Sequence, residues 1–398
     1  MQEVSKRIQS LSESQTIAMA QRSRALKAEG KDIISLSLGE PDFTTPNFIK
    51  EAAKQAIDDN FTYYTAVPGD EELRIAISKK FKRDNNLNYT KDQIVVSTGA
   101  KQSIANVVLS LINPGDEIII PSPYWVTYIE IIKLAEGVPV FIEAGIEDDF
   151  KITAEQLKAA MTKKTKMIIF SSPCNPTGSI YNKEELRALA QVISTKKDFY
   201  IVSDEIYEHI NFEGKHESIA QFKEIYDQTI TINGVSKGFA MTGWRLGYIG
   251  APQWIADACT KIQGQITSAT CSITQKASVA AMNADPSTTY EMRKAFKERR
   301  DLVLEMLNDI PGIITNTPKG AFYVFPDISS YFGKKSPQKE TINTATDLSM
   351  YLLNEALVAV VTGEAFGSPN CIRISYATST EVLKTAIRRI KNALNQLQ

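Results

Sequence analysis

Short apolar runs recur along the middle of the chain, at 94–97, 117–120, 138–142, 167–171, 199–203, 229–232 and 246–250. Several are apolar without alternation, the pattern of strands buried on both faces. Helical stretches such as 183–194 lie between some of them. Strand–helix–strand order predicts an α/β architecture with a mostly parallel seven-stranded sheet covered by helices. In such sheets ligands bind beyond the carboxyl ends of strands. The last third reads differently. A charged helix over 289–308 precedes short strands at 320–325 and 371–376, with helices over 348–356 and 381–397. These predict a second, smaller α+β domain. The expected division is a large domain over 46–290 and a small one built from 1–45 and 291–398.

Composition narrows the class. A chain of 398 residues suits roughly two domains at ~100–200 residues each. With 43% hydrophobic and 23% charged residues it has the profile of an ordinary soluble globular protein. A net charge of −1 removes any bulk electrostatic argument for nucleic acid or anionic membrane. Cys174, Cys259, Cys271 and Cys371 are scattered without a C-x-x-C pair, and His209 and His216 are the only histidines, so no metal site is expected. A reducing compartment suits these cysteines. The N-terminal segment is polar and lacks the apolar run of a signal peptide, so a cytoplasmic location is expected. No apolar stretch is long enough to span a membrane. The sequons at Asn60-Phe61-Thr62 and Asn88-Tyr89-Thr90 read as chance matches.

Four segments carry candidate chemistry, each straight after a predicted strand. Lys237 lies in Ser236-Lys237-Gly238-Phe239, dense in small residues, with Arg245 eight residues on. An amine that forms a Schiff base must be uncharged part of the time, so it needs shielding and cationic neighbours. A lysine taken alone is far more often a surface residue. Asp204 and Tyr207 follow the apolar run 199–202. A carboxylate at a strand end faces the ligand crevice, and facing a pyridine nitrogen it would keep that nitrogen protonated. Asp204 could equally cap a helix. Ser172-Pro173-Cys174-Asn175-Pro176 is a stiff turn that fixes the Asn175 amide, though such turns are also ordinary. Ser97-Thr98-Gly99-Ala100-Lys101 precedes a helix predicted over 103–111. Its backbone N–H groups suit a phosphate, a weak signal alone.

The joint order of these segments resembles the class I and II aminotransferases of fold type I, the aspartate aminotransferase group. The resemblance runs from Ser14 through Gly39-Glu40-Pro41-Asp42-Phe43 to the Arg373 segment. It implies pyridoxal 5'-phosphate as cofactor and Lys237 as the Schiff-base lysine, general base and acid. Asp204 is implied to pair with the pyridinium nitrogen, and Tyr207 and Asn175 to hydrogen-bond the ring oxygen. Trp125 stacks on the ring face. Gly99, Ala100 and Lys101, with Ser236 and Arg245, cradle the phosphate. Tyr64 reaches the phosphate of a neighbouring subunit, which implies a homodimer. Arg373 and the Gly39 backbone hold the substrate α-carboxylate, a planar group that suits an arginine fork.

The resemblance also bears on substrate. It is closest to the Thermus-type aspartate enzymes, where a lysine at the place of Lys101 faces the distal carboxylate. Ser14 and Thr16 match that branch. The stretch 263–272, where other aspartate enzymes carry an arginine, has neither arginine nor lysine. The activity implied is ping-pong transamination between aspartate or glutamate and 2-oxoglutarate or oxaloacetate. Relatives that accept prephenate carry a lysine where this chain has Ser12, which argues against prephenate. The sequence reads Thr362-Gly363-Glu364 where relatives often begin with proline, a neutral change. The alternatives are an aminotransferase for alanine or aromatic amino acids, ring-forming elimination or decarboxylation on the same fold, and a non-enzymatic regulator. The resemblance begins within the first twenty or so residues, which leaves no space for a regulator's DNA-binding module.

Overall fold

Strands that are apolar on both faces need cover on both, and the central sheet has it. A computed structural model describes residues 4–398. Counting strands along the chain, β1 (Ile34–Ser35) comes first. Seven follow in the main sheet: β2 (Ile94–Ser97), β3 (Glu117–Ser122), β4 (Val138–Glu143), β5 (Thr165–Ser171), β6 (Tyr200–Asp204), β7 (Thr229–Gly234) and β8 (Gly247–Gly250). Their spatial order is β2-β8-β7-β6-β5-β3-β4. All run parallel except β8, which is antiparallel to both neighbours. Successive side chains of a strand face opposite layers. Met167 and Ile169 of β5 join one buried cluster with Val202 and Ile230, while Ile168 and Phe170 join another with Ile201. Only the edge strand β4 is half exposed.

Each predicted strand of this sheet is present. Two boundary shifts matter for the site. β6 extends one residue further than predicted, so Asp204 is its last residue. The helix predicted to begin at 103 begins at Ala100, with Gly99 as N-cap at φ 88°. Only a residue without a Cβ adopts that conformation cheaply. The shift carries Lys101 into the first helical turn.

In the C-terminal third, β9 (Tyr323–Val324), β11 (Val361–Thr362) and β12 (Ile372–Ser375) form a three-stranded antiparallel sheet, while β10 (Val358–Ala359) pairs in parallel with β1. The N-terminal segment is thereby stitched to the C-terminal part, and Leu36 shares a core with Val358, Ile374 and Ile387. The predicted helix over 348–356 is Ala345–Tyr351 continued by a π-turn at Leu352–Ala356. The pattern reading assigned no element to several helices, Gln15–Ala28 among them. That helix buries only Ala20 and Ser23, so it has no apolar stripe to read.

Candidate active site

Three loops leave the carboxyl ends of the adjacent parallel strands β5, β6 and β7. They bring Asn175, Asp204 and Lys237 to one edge. β2 ends on the same side, so the helix starting at Ala100 opens there too. These groups line a cleft of about 250 Å³, with Ala100, Lys101, Trp125, Tyr207, Ser236 and Arg245. Ser14, Thr16, Gly39 and Arg373 complete it from the N-terminal segment and β12. Of the residues singled out in the sequence, Gly99 and Tyr64 lie outside this lining. Gly99 sits just behind it, and Tyr64 is 97% exposed.

Asp204 is 5% exposed. Its Oδ2 accepts a 2.7 Å hydrogen bond from Tyr128 Oη and its Oδ1 one of 3.3 Å from the Ile206 N–H. Burial still dominates and lifts its pKa to about 6, because losing water penalises the charged form. Lys237 is half-buried, and its amine donates to the Gly39 carbonyl. Desolvation brings its pKa down to about 8, with Glu40 opposing and Arg373 and Arg245 assisting. A useful fraction of this amine is therefore neutral near neutral pH.

Arg373 is 2% exposed. It donates to Asn175 Oδ1 at 2.9 Å and to the Ser37 carbonyl at 2.6 Å, and its Nε has no partner. Among the described residues no carboxylate pairs with it, and none pairs with Lys101 or Arg245. A buried guanidinium without an anion is costly, so the cleft is built for an anionic ligand. Lys101 lies over the Trp125 ring, 5.2 Å from its centroid. Partial desolvation and Arg245 lower its pKa.

The phosphate end can be tested through its glycines. A Cβ on Gly99 would stand 2.5 Å from the Arg245 guanidinium, and one on Gly247 only 2.2 Å from the Ala100 nitrogen. Glycine at both positions lets a cation and a helix start, with its free N–H groups, converge on one point. That cradle fits a phosphate. The buried acid at Asp204 and the desolvated amine at Lys237 fit the ring nitrogen and aldehyde of pyridoxal phosphate.

Tyr207 differs from expectation in one respect. Its hydroxyl shares a 2.8 Å hydrogen bond with that of Tyr323, a residue the sequence reading did not single out. Tyr128 was also missed. Its signal was its place three residues after Trp125: the Tyr128 N–H, in the first turn of the helix Thr127–Leu134, donates to the Trp125 carbonyl at 3.0 Å, and their rings stand 5.5 Å apart.

Directly behind Asp204, Glu205, Glu208 and His216 form a buried group that could hold a metal by geometry alone. Its donors have other partners. Glu205 accepts from Ser218 Oγ at 2.6 Å and pairs with His216 at 2.9 Å. Glu208 takes the Lys80 ammonium and Asn85. Lys80 supplies the cation there. Among the described residues no helix is long and apolar enough to cross a membrane.

A seven-stranded sheet of this order, with a lysine, an acid and an asparagine at its carboxyl edge, is the fold type I architecture of aminotransferases. The chain belongs to the family Aminotransferase class I and II, whose profile it matches over residues 31–390. It is 49% identical to an aspartate/prephenate aminotransferase of Cereibacter sphaeroides, over 95% of each chain. It is 46% identical to a bifunctional aspartate aminotransferase and glutamate/aspartate-prephenate aminotransferase of Petunia hybrida, over 98% of this chain and 82% of the relative. The solved aspartate aminotransferase of Rhizobium meliloti superposes with a TM-score of 0.97 at 43% identity, covering 100% of both chains. That of Thermus thermophilus with maleate gives 0.92 at 39% identity, over 99% of this chain and 100% of the other.

Proposed function

We propose that this aminotransferase exchanges the amino group of aspartate or glutamate with 2-oxoglutarate or oxaloacetate in a ping-pong cycle, using pyridoxal 5'-phosphate. The observation that carries the reading is the convergence of Lys237 and Asp204 in one cleft with a buried Arg373 that has no carboxylate partner among the described residues. Arg245, Ser236, Gly99 and Ala100 would hold the phosphate, Asp204 the ring nitrogen, and Tyr207 and Asn175 the ring oxygen, with Trp125 on the ring face. When bound, the cofactor supplies an electron-withdrawing ring that accommodates the charge left as an amino acid loses its α-proton.

The chain's own residues do the rest. Arg373 grips the α-carboxylate through the edge it does not give to Asn175 and Ser37, helped by the Gly39 backbone. This aims the Cα–H of the substrate at Lys237 Nζ. That nitrogen, with its pKa brought down to about 8, is the base that would take the Cα proton and the acid that would give it back. Asp204, held by Tyr128, keeps its charge against the ring nitrogen. Lys101 reads the distal carboxylate, with Ser14 and Thr16 beside it. The domain division at 46–290 and 1–45 with 291–398, a homodimer completed by Tyr64, and a cytoplasmic setting belong to the same proposal.

The test is direct. Purified protein loaded with pyridoxal phosphate should absorb in the visible, and borohydride should fix the cofactor on Lys237. A panel of donors should place aspartate and glutamate above alanine and the aromatic amino acids. Trapping on another lysine would overturn the cofactor assignment, and alanine or phenylalanine at the head of the panel would overturn the substrate.

A further inference from the structure

Tyr323, in β9, meets three of the proposed functional residues at once. Its hydroxyl shares the 2.8 Å hydrogen bond with Tyr207 Oη. Its ring lies against the Arg373 guanidinium, 4.6 Å from centroid to Cζ. The same hydroxyl fills the space over Gly39, where a Cβ would stand 2.2 Å away. Tyr323 is 1% exposed and borders the cleft. We infer that Tyr323 is a positioning residue that aims the Tyr207 hydroxyl at the cofactor's ring oxygen and braces Arg373 for the substrate carboxylate. This rests on the reading that Tyr207 and Arg373 face cofactor and substrate.

The chemistry of two adjacent phenols supports it. Each hydroxyl has one proton to donate and lone pairs to accept. If Tyr207 donates to a ligand oxygen, its own oxygen is free to accept from Tyr323. Two hydroxyls in series polarise one another, so the outer donor becomes stronger. Burial holds both phenols protonated, with pKa values above their ordinary range, so both remain donors. The Tyr323 ring also offers Arg373 a cation–π contact that keeps the guanidinium in place before any carboxylate arrives. Gly39 has no side chain to displace the Tyr323 hydroxyl. One residue thus couples the cofactor contact to the carboxylate clamp.

The experiment uses enzyme loaded with pyridoxal phosphate and follows the pH at which the absorbance of the cofactor on Lys237 changes. A donor to the ring oxygen favours the deprotonated form, in which that oxygen carries more negative charge, so weakening the donor raises the midpoint. Tyr323→Phe should raise it by on the order of half a pH unit. Because the ring remains, KM for aspartate should stay within about twofold. Tyr323→Leu should give the same rise together with a roughly three- to tenfold higher KM. Tyr207→Phe should raise the midpoint more, and adding Tyr323→Phe to it should add nothing, since both act through one hydrogen bond. An unchanged midpoint in Tyr323→Phe, or shifts that add in the double variant, would overturn the role. The Phe substitution preserves packing, so the decision does not depend on the Leu variant folding. If Tyr207→Phe itself leaves the midpoint unmoved, the assignment of Tyr207 to the ring fails and the role of Tyr323 falls with it, an outcome separate from the Tyr323 results.

Discussion

Burial lifts the Asp204 carboxyl from an ordinary 3.8 to about 6, the sign of a group placed for a partner and not for stability. A carboxyl whose folded pKa exceeds its unfolded one binds its proton more tightly when folded. The folded state is favoured fully below about pH 4 and loses that advantage as pH rises through 4 to 6, a cost of about 3 kcal/mol at neutral pH. Asp204→Asn in cofactor-free protein should therefore raise Tm at pH 7, with the difference shrinking by pH 4, while transamination falls roughly 10²-fold or more. A calorimetric Tm below that of the unaltered protein at pH 7 would refute this. Lys101 allows a second test at this scale. With its ammonium over Trp125 and no carboxylate partner among the described residues, Lys101→Ala should lower kcat/KM for aspartate roughly 10-fold or more, about 1.4 kcal/mol. Alanine should be barely affected. Equal losses on both donors would mean that Lys101 merely balances the phosphate.

At the scale of elements, the start of the helix Ala100–Leu111 and the N-terminal segment both line the cleft. The segment is docked on the helix Thr127–Leu134 and the turn after it. The Ser12 N–H donates to Glu130 Oε2 at 2.8 Å, and Arg7 pairs with Glu136 at 3.2 Å. Both contacts are exposed, so they contribute little energy and mainly set position. The resemblance implies a lysine at this place in enzymes that accept prephenate, and this chain presents Ser12 beside Glu130 instead. Prephenate should consequently serve as acceptor with a kcat/KM at least ~10-fold below that of oxaloacetate, and Ser12→Lys should narrow the gap. Comparable rates on the two acceptors in the unaltered enzyme would show that another residue reads the second carboxylate of prephenate.

Across the whole molecule, the cleft is assembled from distant parts of the chain. Asn175 and Arg373 are bonded across 198 positions, and Ser37 and Arg373 across 336. The site therefore exists only when the N-terminal segment, central sheet and C-terminal strands are all in place. Tyr64 is left out of this single-chain assembly, and with Tyr63, 82% exposed, it presents aromatic surface to solvent. A symmetric dimer that covers this surface and lends Tyr64 to the partner's phosphate is the expected assembly. Sedimentation at assay concentration should give a dimer, and Tyr64→Phe should weaken cofactor retention without dissociating it. A fully active monomer would remove both the dimer and the Tyr64 role.

The sequence by itself pointed to the sheet, because several of the seven runs are apolar without alternation and alternate with helical stretches, the pattern of parallel strands covered on both sides; only the edge strand β4 is half exposed. It also singled out the strand ends that meet at the cleft, since the segments carrying Asn175, Asp204 and Lys237 each come after such a run, and small residues mark the turn before Ala100. Local pattern did not reach the helix Gln15–Ala28, whose stripe is made of small and polar residues and whose place comes from packing. Nor did it reach Tyr323, which in sequence is one more aromatic in a short strand. Only the tertiary structure decided that Tyr323 stands between Tyr207, Arg373 and Gly39. It likewise decided that Arg373 is buried without a carboxylate partner among the described residues and that Tyr128 holds Asp204. Periodicity records which face of an element is dry. Which side chains from remote elements meet at one point depends on how the layers stack, and no local window of sequence contains that.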